Sequence, residues 1–170
     1  MTGATIEVSL DLGDLRTRLA RLRALGWDAT PLMRDIGEGV RATTQARFDS
    51  GTDPEGAPWK PWSPAYAAVT KSSGILRDAG MRGGLMGSIT YEAGARSVRV
   101  GSNKVYAAAQ QFGATIRPVR APALRFMLGE KVVFAKKVTL PARPYLGWGP
   151  AERQVVEDAA GRAFGAALDP

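Results

Sequence analysis

Apolar residues along this chain change their spacing once, and that change restricts the fold class. From Leu12 to Phe48 they recur at three- and four-residue intervals, the period of helices with one buried stripe. From Ser88 to Phe134 they fall instead in short runs and alternations, the period of strands. A short alternation, Thr5-Ile6-Glu7-Val8-Ser9-Leu10, precedes the helical stretch and suits a strand with one buried face. The expected architecture is α+β: an antiparallel sheet of hairpins packed against two N-terminal helices and a C-terminal helix, in a single domain over residues 1–170.

Local signals place the elements. Asp11 can cap a first helix carrying Leu12, Leu15, Leu19 and Leu22, with Arg16, Arg18, Arg21 and Arg23 on its polar side and a stop at Gly26. Thr30-Pro31 has the form of a second helix start, followed by a stripe of Leu32, Met33, Ile36, Val40, Thr44 and Phe48. Gly37 and Gly39 weaken that helix by about 1 kcal/mol each relative to alanine, so it must rely on packing. Ser88–Tyr91 and Ser97–Val100 read as one hairpin, turning near Gly94. Leu124–Leu128 and Val132–Phe134 read as another, turning at Gly129-Glu130. A short helix fits Lys104 to Gln111, and Pro141-Ala142-Arg143-Pro144-Tyr145 must be extended. Pro150 to Leu168 reads as a last helix with Val155, Val156, Ala159, Ala163 and Phe164 on its apolar side and Glu152 near its start.

Between the second helix and the first hairpin, residues 49–84 lose all periodicity and become rich in Gly, Pro, Ser and Asp. A loop so long is uncommon in a compact domain without a binding task. Its tryptophans, Trp59 and Trp62, predict that a partner covers it, since exposed Trp is normally covered.

The chain contains neither Cys nor His. Disulfides, zinc, haem and iron–sulfur sites are excluded, as are Ser-His-Asp and Cys-His nucleophilic schemes. The glycines at 80, 83, 84 and 87 match neither the dinucleotide fingerprint nor the phosphate-loop spacing. Asp53 and Glu55 beside Gly56 are too few oxygens for calcium and read as a turn. The other acids form no evident facing pair for glycosidase chemistry. Tyr91, Tyr106 and Tyr145 read as core or interface residues. The expectation is a non-enzymatic protein with no metal and no cofactor. No apolar run reaches the ~20 residues that span a bilayer, and no secretory leader is evident, so a cytosolic origin is expected with no membrane partner.

The net charge is +7, and its distribution is lopsided. Residues 93–150 carry ten bases, among them Arg117, Arg120, Arg125, Lys131, Lys136, Lys137 and Arg143, against the single acid Glu130. A solvated basic face, a surface against DNA and a surface against an acidic partner all remain open.

Ordered short motifs carry a resemblance. Phe48 followed by Asp53-Pro54-Glu55-Gly56-Ala57-Pro58-Trp59-Lys60-Pro61, then Ile75-Leu76-Arg77-Asp78-Ala79-Gly80, Leu85 to Ile89, Val98-Arg99-Val100-Gly101, Tyr106-Ala107 to Gln111-Phe112-Gly113, and Pro141-Ala142-Arg143-Pro144-Tyr145-Leu146-Gly147 resemble, in order, the signatures of the phage virion morphogenesis, or tail-completion, family. Gln110 stands where many members have His, and Met81-Arg82-Gly83-Gly84 lengthens one segment.

The resemblance implies a structural virion protein of a tailed bacteriophage, acting in tail completion and head–tail joining as a tail terminator or neck component. It implies assembly in the host cytoplasm and residence at the head-proximal end of the tail. The implied partners are copies of itself in a hexameric ring, the tail tube protein, the head–tail connector and neck proteins, and genomic DNA in the channel. Ring contacts of this kind are head-to-tail. On that reading Trp59, Trp62, Arg143 and Tyr145 are the expected subunit or partner contacts, with Arg143 alternatively pinning its own loop to a carboxylate. Arg117, Arg120, Lys131, Lys136 and Lys137 are the expected surface toward the DNA channel or an acidic partner. The rival reading is a basic nucleic-acid-binding protein, although no helix-turn-helix, zinc-finger or RNA-binding signature is present.

Overall fold

The computed structural model describes residues 4–8, 28–77 and 83–168, with side chains placed for 28–77 and 83–165. The expected first helix, with Leu12 to Leu22, lies outside the described residues. In chain order the elements are β1 (Ala4–Val8), α1 (Thr30–Ser50), α2 (Pro64–Ala67), a single 3-10 turn (Met86–Ser88), β2 (Ile89–Ala93), β3 (Val98–Ser102), α3 (Ala107–Phe112), β4 (Ala114–Ile116), β5 (Leu124–Leu128), β6 (Lys131–Ala135), β7 (Val138–Leu140) and α4 (Pro150–Leu168).

The long helix α1 organises the core. Its stripe of Leu32, Met33, Ile36, Val40, Thr44 and Phe48 is buried, as the period dictates. The helix is not capped as the Thr30-Pro31 signal suggests. Ala29 occupies the cap position without a side-chain bond, and the Asp28 carboxylate accepts instead from the Thr30 amide (3.0 Å) and hydroxyl (2.7 Å). At the other end Gly51 takes a left-handed conformation (φ 69°), and its amide donates to the Arg47 carbonyl.

α1 lies across a three-stranded antiparallel sheet of order β1-β3-β2. The β2–β3 register sets Ile89, Tyr91 and Ala93 opposite Ser102, Val100 and Val98, so the two strands present one apolar face to the helix. The glycines that weaken α1 are where its neighbours come closest. A Cβ on Gly37 would stand 2.4 Å from the Tyr91 ring, and one on Gly39 would stand 2.4 Å from a Val155 methyl of α4. Their lost helix propensity is the cost of close packing with the sheet on one side and α4 on the other.

The remaining strands do not join this sheet. β5 and β6 form the expected hairpin, with Gly129 left-handed (φ 61°) in its turn. β4 and β7 form a separate two-stranded ribbon that periodicity did not predict, each strand being three residues and too short to show alternation. The fold is α+β and its described pairings are antiparallel, yet the described strands lie in three separate sheets.

Candidate functional site

The stretch after α1 is held by the chain's own groups over its described part. Asp53 makes the first turn: its Oδ1 accepts from the amides of Glu55 (3.0 Å) and Ala57 (2.8 Å), and Gly56 supplies the positive φ of 85°. That use of Asp53 agrees with a turn rather than a cation site. Thr52 and Pro58 then form an isolated bridge, and the Trp59 amide donates back to Gly51 O at 2.8 Å. The stretch continues as the single turn α2, whose Ser63 side chain accepts from the Tyr66 amide.

This loop docks on the Pro-rich segment ahead of α4. Pro54 lies so close to Gly147 and Gly149 that a Cβ on Gly149 would fall 2.0 Å from the Pro54 carbonyl oxygen. Trp59 inserts edge-on against Phe48 (centroids 5.6 Å apart), and its Nε1 donates to Pro144 O at 2.8 Å. Phe48 also meets Tyr145, at 5.5 Å. Arg143 reaches the other way, Nε to Lys60 O (2.8 Å) and Nη2 to Pro61 O (3.1 Å). Two motifs whose contacts join residues 82 to 85 positions apart are therefore a lock and its catch.

Below this contact lies a buried ion pair. Arg47 of α1 pairs with Glu152 of α4, and its Nη1 donates to Tyr145 O at 3.1 Å. Glu152 also accepts from the Thr43 hydroxyl and, at 3.0 Å, from the Gly149 amide, so it caps α4 from within. Gln111 completes the clamp: its Oε1 accepts from the amides of Tyr145 and Leu146 (3.0 Å each), and its Nε2 donates to Leu146 O (2.7 Å). The Tyr145 hydroxyl donates to Ala107 O, and burial raises the phenol's pKa well above its ordinary value.

These positions correct part of the sequence reading. Trp59 (5% exposed) and Tyr145 (fully buried) are core residues of this chain and present no surface to a partner. An indole with an apolar body and one donor is satisfied as well by its own fold as by another chain. Arg143 does pin its own loop, through two backbone carbonyls and not through a carboxylate. It is 7% exposed, and burial lowers its pKa. Glu152, placed by the sequence near the start of the last helix, is fully buried. Nothing in its spacing distinguishes it from a surface glutamate in a first turn.

Trp62 is half-buried and packs edge-on against Tyr66, at 5.8 Å. Together they form one wall of a cavity of about 810 Å³. The opposite wall is the inner face of the β5–β6 hairpin, Phe126, Leu128 and Val133, while Leu85 and Leu140 also line the space. The hairpin leans over it: a Cβ on Gly129 would meet Val69 at 3.1 Å. Lys60 and Arg143 supply its cations, and Ser63, Ser72, Gln110 and Thr139 its neutral polar residues. Sequence reasoning missed this cavity, because its walls come from six separate stretches of the chain.

The outer face of the same hairpin is exposed and apolar, with Met127 58% and Phe134 66% exposed and Val132 between them. Arg117, Arg120, Lys131, Lys136 and Lys137 are all exposed. Lys131 stands at the turn end of β6 and Lys136 just past its other end, roughly 17 Å apart along an extended strand.

Among the described residues no group of three or more acids is placed to hold a metal, and no helix is long and apolar enough to cross a membrane.

Comparison with known proteins matches residues 10–165 to the model of the phage virion morphogenesis family. The chain is also 28% identical over 166 residues to the "Putative capsid assembly protein G" of Escherichia phage Mu, an alignment covering 96% of each chain. No solved structure matches it.

Proposed function

This chain belongs to the phage virion morphogenesis family, and from that premise we propose that it is a structural assembly protein of a tailed phage, completing the tail and joining it to the head. The observation that carries this reading is the extent of the family match, which spans both flanking segments as well as the central motifs. The name of the Mu relative adds a link to capsid assembly. A protein seated between head and tail would serve both descriptions.

The role is non-catalytic on this proposal. The buried carboxylate with the most unusual environment, Glu152, is fully occupied by Arg47, Thr43 and the Gly149 amide, which is the arrangement of a structural tie. The proposed assembly state is a closed ring of identical subunits in contact with tail tube and neck proteins. The exposed apolar strip of the β5–β6 hairpin supports an assembly role, because such strips on a monomer are normally covered by another protein. A second reading, binding to nucleic acid, is favoured by the exposed cations around the same hairpin.

Electron microscopy of particles made without the protein, together with its mass in solution, separates the two. Unjoined heads and tails, or tails of abnormal length, would support the joining role. Normal infectious particles, with tight salt-sensitive binding of the protein to free DNA, would replace it with the second reading.

A further inference from the structure

The cavity between the Trp62–Tyr66 segment and the β5–β6 hairpin contains an imbalance. Arg143 is almost wholly buried, yet only two of its three guanidinium nitrogens are bonded, both to carbonyls, and among the described residues no carboxylate pairs with it. In the same cavity the Gln110 side-chain oxygen is buried without a hydrogen-bond partner. A buried cation left without an anion, and a buried acceptor left without a donor, are each costly to a fold. Arg143 lines a space shared with Lys60 and walled chiefly by Trp62, Tyr66, Phe126, Leu128 and Val133.

We propose that this cavity is a docking site for a peptide segment of a partner protein, one that inserts an apolar side chain beside a carboxylate. The carboxylate would neutralise Arg143 and complete its third nitrogen. The apolar side chain would fill the space between Trp62 and Val133. A volume near 810 Å³ is of the size that holds a few side chains. Nucleic acid fits less well, since the walls that would receive it are largely aliphatic. The inference rests on the assembly role proposed above and names the chemistry of one partner in it.

The full chain serves as bait for a ribosome-displayed library of random dodecamer peptides. The expected consensus is an apolar residue within a few positions of Asp or Glu. Replacing that acid by its amide should weaken binding by about tenfold or more, the loss of one charge-assisted hydrogen bond. Val133→Trp, which puts an indole into the part of the space the apolar side chain would take, should weaken binding at least about tenfold, and Phe134→Ser on the outer face should leave it unchanged. Trp62→Ala, which removes the half-buried wall opposite Val133, is the second probe should Val133→Trp fail to fold, and it should weaken the same peptides.

Four results would overturn the proposal: no peptides selected, a consensus without acids, binding lost with Phe134→Ser and kept with Val133→Trp, or displacement of the peptide by a single-stranded oligonucleotide. Self-association abolished by Val133→Trp would also overturn it, making a second copy the occupant. Normal particles from phage carrying Val133→Trp, where particles lacking the protein are defective, would sink this inference alone. Normal particles in its complete absence would sink the assembly role instead.

Discussion

Replacing Glu152 by leucine should be among the most destabilising single changes in the described structure. The substitution leaves Arg47 buried at 6% exposure without its anion and strips acceptors from Thr43 and the Gly149 amide. Breaking a buried pair from one side costs about 3–5 kcal/mol, a large share of a total stability of ~5–15 kcal/mol. With a urea slope of roughly 2 kcal/mol/M, the unfolding midpoint should fall by about 1.5–2.5 M. Circular dichroism and tryptophan fluorescence would both follow it. Arg47→Met alone should cost a similar amount. The double variant Arg47→Met/Glu152→Leu should be more stable than Glu152→Leu, because no buried charge remains, although the Tyr145 carbonyl and Gly149 amide still lack partners. If the two single losses simply add in the double variant, the residues are not coupled and the reasoning fails.

Three further outcomes test other parts of the structure. Gly39→Ala should destabilise by about 1–3 kcal/mol despite alanine's helix propensity, because its Cβ meets Val155 at 2.4 Å, whereas Gly161→Ala in α4, with open space around it, should stabilise by up to ~1 kcal/mol; equal effects in thermal melts would contradict the packing. Arg143→Lys keeps the charge but loses the planar fork that spans two carbonyls, so it should cost about 1.5–3 kcal/mol and speed amide exchange through residues 59–66, and unchanged exchange there would show that Arg143 is not the catch. The exposed pair Lys136→Glu/Lys137→Glu should shift stability by less than about 0.5 kcal/mol yet lower infectious titre, and a normal titre with normal tail attachment would remove this end of the hairpin from the assembly surface.

Period alone revealed the elements that bury a regular stripe. α1 and α4 are long enough for the three- and four-residue recurrence to be unmistakable, and the β2–β3 and β5–β6 hairpins carry both alternation and a turn residue. The ribbon of β4 and β7 was illegible because three residues cannot display a period, and its close approach is recorded only in Gly113, whose Cβ would meet the Ala142 amide nitrogen at 2.9 Å. The central contact was half legible. The motifs around Trp59 and Arg143 stood out, but an indole written in a Pro-rich loop looks the same whether its own chain or another covers it. Glu152 and Gln111 were invisible as buried residues because nothing local announces that a helix face will turn toward a carbonyl or a guanidinium. The cavity, assembled from residues far apart in sequence, has no linear signature at all.

The place of β1 in its sheet has a consequence for synthesis. Among the described strands β1 pairs with β3 alone, and that partner starts at Val98. At ~5–20 residues per second the first strand leaves the ribosome roughly 5–20 seconds before the segment it must pair with exists. Throughout that interval α1 can form its turns but has no sheet to lie on, and Ile6 and Val8 have no ladder. The fold therefore closes late and from its middle outward. In a cell producing many copies at once, the hazard of mispairing between nascent chains falls on this earliest segment, and a slower passage through the codons before Val98 would lengthen it.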